Sequence, residues 1–237
     1  MTLPLLCFHH AGGSALTYRR LSMTESRFAV IPVPIPLQQH MAEPEDRVYV
    51  DRVVGALERQ ILRSSHTSQP YALYGHSMGA AVAHALTRRL EYQGRGPCFL
   101  ALGACLPPHI TAPRIDDAAS EERLFAFLEK ANGAPLTLRS STLRRVLLPR
   151  LRAGLRFVRS WREFVDRNPL DTPVAAIAGS DDPWCTPSLI TQWESYSTET
   201  FRSSTVIGSH LFHQDAPALL DVLDRCLPTD AIAGAAA

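Results

Sequence analysis

Six short continuous apolar runs punctuate the chain: "LPLLCFHH" (3–10), "RFAVIPVPIP" (27–36), "YALYG" (71–75), "CFLALGAC" (98–105), "PVAAIAG" (173–179) and "TVIG" (205–208). Runs of this length, bounded by glycine or proline, predict buried strands. Between them the periodicity turns helical. Val50, Val54, Leu57 and Ile61 recur at three- and four-residue steps and predict an amphipathic helix from Pro44 to Leu62. The alanine- and leucine-rich stretch 78–92 predicts a helix directly after the third strand, and 216–227 predicts a closing helix. Strands alternating with helices imply a parallel sheet with helices on both faces.

One section breaks the alternation. Between Pro107 and Pro169 there is no strand-like run, only the helical patterns "SEERLFAFLEKA" and "STLRRVLLPRLRAGLRFVRSWREFVDR". An all-helical insertion between two sheet strands is expected to form a lid. The chain therefore reads as one α/β domain over residues 1–228, with a lid at about 107–169 and a disordered tail over 229–237.

Composition adds exclusions. A net charge of +1 over 237 residues gives no general argument for nucleic acid or an acidic membrane. No apolar stretch approaches the roughly 18 residues of a membrane helix, and the start "MTLPLLCFHHAGG" lacks a positively charged leader. The five cysteines are odd in number, widely spaced and without a C-x-x-C pair, which indicates neither zinc nor a disulfide framework and suits a reducing cytoplasm. The exception to the even charge is local: from Arg139 to Arg167 nine arginines face two acids, Glu163 and Asp166. Leu143, Leu147, Leu151 and Leu155 give that stretch one packing face. Helical spacing puts Arg152, Arg156 and Arg159 on an exposed one.

The strand 71–75 runs into Gly75-His76-Ser77-Met78-Gly79. G-x-S-x-G arises by chance in roughly one chain of this length in ten, so its surroundings must decide between a nucleophile and a small residue at a turn. A strand before Ser77 and a helix straight after it form the strand–turn–helix context of a nucleophile elbow, with the serine at a helix N-terminus where N–H groups favour negative charge. A serine hydroxyl needs a base. After the lid only His210 and His213 remain; His210 follows Gly208 just past a strand end, whereas His213 reads as a cap or surface residue. The acid is Asp181 or Asp182 in "AIAGSDDPW"; Asp182 precedes a proline, which biases it to extended backbone at a loop tip, while Asp181 suits a local cap. The N–H of Met78, and that of Ala11 in the glycine turn "HHAGG", are the candidate oxyanion donors. His9 and His10, ending a buried strand, read as structural.

With these residues in view, the chain resembles the type II thioesterases, stand-alone α/β-hydrolases that accompany polyketide synthases and non-ribosomal peptide synthetases. The likeness covers about residues 3 to 227 and rests on "CFHHAGGSALTYRRL", "YGHSMGA", the lid segment "LLPRLRAGLRFVRSW", "PVAAIAGSDDPW" and "GSHLFHQD". The family's acid is the third residue after the glycine, which selects Asp182. The chain departs from the family pattern at His9 (usually proline), at "PIPLQQH" (34–40), at "LGACLPPH" and at Gly154 (usually aspartate), none of which removes a triad member. The resemblance implies hydrolysis of acyl thioesters from the phosphopantetheine arm of acyl- or peptidyl-carrier domains, by a monomer, without metal or cofactor. It also gives the basic lid a use: steering an acidic, phosphate-bearing carrier. The residue types alone leave open a cyclase or acyltransferase with a non-water acceptor, a general carboxylesterase, or a non-catalytic binding protein on the same fold.

Overall fold

The computed structural model describes residues 2–110, 117–131 and 141–229. Of the tail expected over 229–237, residues 230–237 lie outside them. Six strands, β1 (Leu3–Phe8), β2 (Phe28–Val33), β3 (Ala72–His76), β4 (Phe99–Gly103), β5 (Val174–Gly179) and β6 (Phe201–Val206), form a sheet in the order β2-β1-β3-β4-β5-β6. Every neighbouring pair is parallel. Parallel strands need crossovers, and helices supply them: α1 (Arg19–Ser22), α2 (Asp46–Leu62), α3 (Met78–Glu91), α4 (Glu121–Lys130), α5 (Ser141–Phe164) and α6 (Pro187–Ile190), while α7 (Ala216–Cys226) follows the last strand and packs on the sheet.

Strand alternation sends side chains to two cores. Leu6, Phe8, Leu73, Leu100 and Ala176 meet the faces of α2, α3 and α5. Leu5, Cys7, Tyr74, Ala101 and Ile177 meet α7 through Leu219 and Leu223. Strands β3, β4 and β5 are buried along their whole length, which is why their sequences are apolar apart from the polar rings of Tyr74 and His76 on β3.

The edge strand β6 differs from expectation. It runs from Phe201 to Val206 in register with β5, not over 205–208, and only Val206 is buried. An edge strand can be held by backbone pairing with little side-chain burial, so "FRSST" carries no apolar signature, while the apolar Ile207 beyond it lies in solvent. The segment from Pro187 to Tyr196, a short α-turn running on into a 3-10 helix, also had no periodic signal, although it buries Trp193 and Tyr196.

The insertion between β4 and β5 contributes α4 and α5. The second lies across α2 and α3. Tyr49 Oη donates to Ala153 O at 3.0 Å, and the Arg156 guanidinium stacks 4.5 Å above the Tyr49 ring. Here the expected exposed arginine face is corrected at Arg156, while Arg159 is exposed as expected and Arg152 is half-buried. Arg156 is buried, donating to Asp46 Oδ1 at 2.8 Å and to the carbonyls of Met41 and Glu43. Arg159 bridges Asp46 and Asp117, and Arg152 donates to the Asp117 carbonyl. Arg156 and Arg159 clamp the lid helix to the body through Asp46 and the carbonyls of Met41 and Glu43, whereas Arg152 ties it to Asp117 within the insertion itself.

Candidate active site

The loops at the C-terminal ends of β1, β3, β5 and β6 converge. Ser77 sits between β3 and α3 with φ 55° and ψ −114°, a conformation costly for a residue with a Cβ. Its neighbours explain how the turn is tolerated. A Cβ on Gly75 would strike the Gly79 carbonyl, and one on Gly79 would strike the Phe8 carbonyl, so only glycine lets strand and helix come this close. The Ser77 N–H donates to Gly103 O at 2.7 Å, fixing the elbow to β4.

His210 approaches from the loop after β6. That loop is seated on β5: a Cβ on Gly179 would meet the carbonyls of Gly208 and Ser209, and Asp181 N donates to Gly208 O at 2.9 Å. His210 Nε2 lies 2.9 Å from Ser77 Oγ and its Nδ1 lies 2.8 Å from Asp182 Oδ2. An ionised carboxylate only accepts, so Nδ1 carries the hydrogen and Nε2 is free to accept from the serine hydroxyl. Asp182 is fully enclosed, and its other oxygen accepts from the N–H groups of Trp184 and Cys185. Burial alone would raise the Asp182 pKa; the hydrogen bond and charge of His210, with those two N–H groups, outweigh it and hold the carboxyl below its ordinary value. Asp181 instead accepts from the Ser180 hydroxyl at the surface.

The two candidate oxyanion residues are brought together. Met78 is the first residue of α3, so its N–H has no acceptor within the helix. On the lid, Gly154 lies against both: a Cβ there would stand 2.7 Å from Ala11 Cβ and 2.7 Å from Met78 Sδ. The helix α5 thus rests on Ala11 and Met78, the candidate oxyanion residues, with no clearance. From the other lid helix, Phe127 stacks on Trp184 at 4.5 Å, and Trp184 lies edge-on to His210 at 4.9 Å.

His213 is not the cap or surface residue expected. It is buried with its ring 4.1 Å from that of His76 and 5.0 Å from that of His10. Burial, and then the neighbouring His210, lower its pKa to about 3, so it remains neutral. The partners come from three chain segments, which no local pattern connects. Two residues went unnoticed beside the motif, Tyr74 and His76; both are polar rings on one face of an otherwise apolar strand, and that alternation was the available signal. Cys185 sits near Asp182 and His210, but burial first, then Asp182, pushes its thiol well above the ordinary range, so it stays protonated.

Residues 3–227 match the family described as "Thioesterase domain". The chain is 31% identical over 221 residues to a Streptomyces griseus protein named "Probable cadicidin biosynthesis thioesterase", covering 90% of this chain and 59% of that relative's length. Among solved structures, the RedJ thioesterase from the prodiginine pathway of Streptomyces coelicolor shares 31% identity with a TM-score of 0.78, over 95% of this chain and 90% of that one. The type II thioesterase BorB from the borrelidin cluster shares 29% identity with a TM-score of 0.76, over 96% and 94%.

Proposed function

The chain belongs to the thioesterase-domain family of α/β-hydrolases, and from that premise we propose that it clears acyl groups from the phosphopantetheine arms of acyl- or peptidyl-carrier domains in polyketide or non-ribosomal peptide assembly. The observation that carries the reading is the continuous hydrogen-bonded line from Ser77 Oγ through His210 to Asp182, set at a strained strand–helix turn. In this reading Ser77 attacks the thioester carbonyl while His210 Nε2 takes its proton. Asp182 stabilises the imidazolium and keeps Nδ1 protonated. The N–H groups of Met78 and Ala11 receive the oxyanion. His210 returns the proton to the departing thiol, then activates water against the acyl-enzyme. One chain holds every group required, so a monomer suffices. The five cysteines are all free, which supports a reducing, cytoplasmic setting. None of the described helices is long and apolar enough to cross a membrane.

The test is intact-mass spectrometry of acyl-loaded carrier proteins incubated with the enzyme. Release of free pantetheine arm together with the free acid is the expected result. Transfer of the acyl group to a hydroxyl or amine acceptor would replace hydrolysis by cyclisation or acyl transfer, and an unchanged carrier mass would reject the reading.

A further inference from the structure

A second hydrogen-bonded line approaches His210 from behind. Tyr74 and His76 alternate along β3 and so point to the same face of the sheet. Tyr74 Oη lies 2.8 Å from His76 Nδ1, and His76 Nε2 lies 2.7 Å from the backbone carbonyl of His210. A carbonyl only accepts, so His76 Nε2 bears the hydrogen and Nδ1 accepts from the tyrosine hydroxyl. Both side chains are completely buried.

The neighbouring strand makes room for this pair. Gly103 is the register partner of His76, and a Cβ there would stand 2.7 Å from Tyr74 Oη and 3.0 Å from His76 Nδ1. The same residue's carbonyl holds the Ser77 N–H. One glycine therefore fixes the nucleophile's backbone and leaves space for the residues that reach the base. Phe212 packs against the His76 ring at 4.8 Å and His213 at 4.1 Å, closing the site to water. Burial first, then His213, His210 and His10, hold the His76 pKa well below its ordinary value. It stays neutral, in the one tautomer this line requires.

We propose that Tyr74 and His76 are positioning residues: their hydrogen-bonded line ties the His210 backbone to the nucleophile strand and so keeps the imidazole in reach of Ser77. The physical point is covalent. His76 and Ser77 are consecutive, so a bond from His76 to the His210 main chain links base and nucleophile through a single peptide unit. Without it, among the described residues, the backbone from Gly208 to His210 is held by hydrogen bonds from the β5 side alone, and the imidazole is free to drift from the serine. This inference rests on His210 as the base and adds what sets its position.

Three variants test it, each checked for folding by circular dichroism and thermal melting. His76→Leu removes the donor to His210 O and should lower kcat on an acyl-N-acetylcysteamine thioester about 10- to 100-fold, with KM changed less than about twofold, because the misplacement affects chemistry and not binding. His76→Gln places an amide N–H near the position of Nε2 and should recover kcat to within about fivefold of wild type. Tyr74→Phe removes only the hydroxyl that fixes the tautomer and should cost about three- to tenfold in kcat. The Nδ1–H proton resonance of His210, visible because it bonds Asp182, should broaden in the leucine variant and return in the glutamine one. A folded His76→Leu protein with wild-type kcat, or equal losses in the leucine and glutamine variants, would overturn the proposal. If the leucine variant does not fold, a wild-type kcat in Tyr74→Phe overturns it just the same. His210→Ala run in parallel separates the two ideas: full activity there would remove the base itself, whereas its loss alongside an active His76→Leu would remove only the positioning role.

Discussion

The floor of the site and the lid above it are held by different physics. The floor is set by the sheet. Gly75, Gly79 and Gly179 sit where no Cβ could, and each closes a backbone-to-backbone contact that places Ser77 or the His210 loop. Positions fixed this way have little freedom, which suits groups that must meet within hydrogen-bond distance. The lid helix α5 is attached chiefly through side chains: Arg156 to Asp46 and two carbonyls, Arg159 to Asp46 and Asp117, Tyr49 to the Ala153 carbonyl. It touches the floor at Gly154, above Ala11 and Met78. The N-terminal half of the same helix, with Arg145, Leu148 and Pro149, borders an open cavity of about 860 Å³. On the proposed function, a backbone-locked floor and a clamped lid would divide the work into chemistry below and closure above.

If that division is right, floor substitutions should abolish turnover and lid substitutions should modulate it. Asp182→Asn and His210→Ala should each lower the catalytic rate by about three orders of magnitude or more. Asp181→Asn should be mild, since among the described residues that side chain bonds Ser180 alone. Steady-state kinetics on an acyl-carrier substrate decides it, and a reversal between Asp181 and Asp182 would relocate the acid.

The contact between the two regions comes next. Gly154→Val would drive a branched side chain into Ala11 and Met78, so the lid must lift or the oxyanion corner must shift. A loss of about 10- to 100-fold in kcat/KM is expected with the fold intact. Wild-type kinetics in this variant would show that the lid does not rest on the corner during turnover.

How legible these features were follows the same division. The positions of the Ser77 turn, the Asp182 loop and the His210 loop were readable because tight turns next to buried strands demand particular residues: glycine at 75, 79 and 179, proline after Asp182. Strand β6 was misplaced because an edge strand needs backbone pairing more than buried side chains. Arg159 is exposed as expected, but Arg156 was misread because a periodic pattern reports which residues share a face, not what the face meets; Asp46 and the Met41 carbonyl are remote in sequence from it. His213 was misread for the same reason, since His10 and His76 become its neighbours only through the sheet.

Those buried histidines give a pH prediction. Burial is the largest cause lowering the pKa values of His10, His76, His84 and His213, the last two to about 3. The folded protein leaves them unprotonated at pH values where the unfolded chain takes up protons, near 6.5 and below. Stability is therefore fully present above about pH 6.5 and falls as the pH drops, by about 1.4 kcal/mol per pH unit for each such group. Urea unfolding at pH 7, 6 and 5 measures the slope, and His213→Phe should make it shallower by about one group. Three of the four lie beneath the floor, and only His84 packs against the lid, beside Trp161. A flat profile between pH 7 and 5 would contradict this.

The smallest effect belongs to lid charge. With Arg156 and Arg159 bonded to the body and Arg152 to Asp117, any steering of a carrier would fall to residues such as Arg145 and Arg150. Reversing both to Glu should reduce the second-order rate on an acyl-carrier protein by about two- to fivefold at low salt, and leave a small thioester unaffected. The difference should vanish as salt rises, since the screening length is about 10 Å at 0.1 M. Equal losses on both substrates would assign these arginines to lid structure.

The most direct test of the account is to find where the acyl group goes. A serine-reactive fluorophosphonate, followed by peptide mass spectrometry, should place one adduct on Ser77 in the wild-type protein. Ser77→Ala should melt like wild type, take up no label and leave acyl-carrier substrates intact. An adduct on another residue, or thioester hydrolysis persisting in Ser77→Ala, would contradict the assignment of Ser77 as nucleophile and with it the mechanism built on the floor.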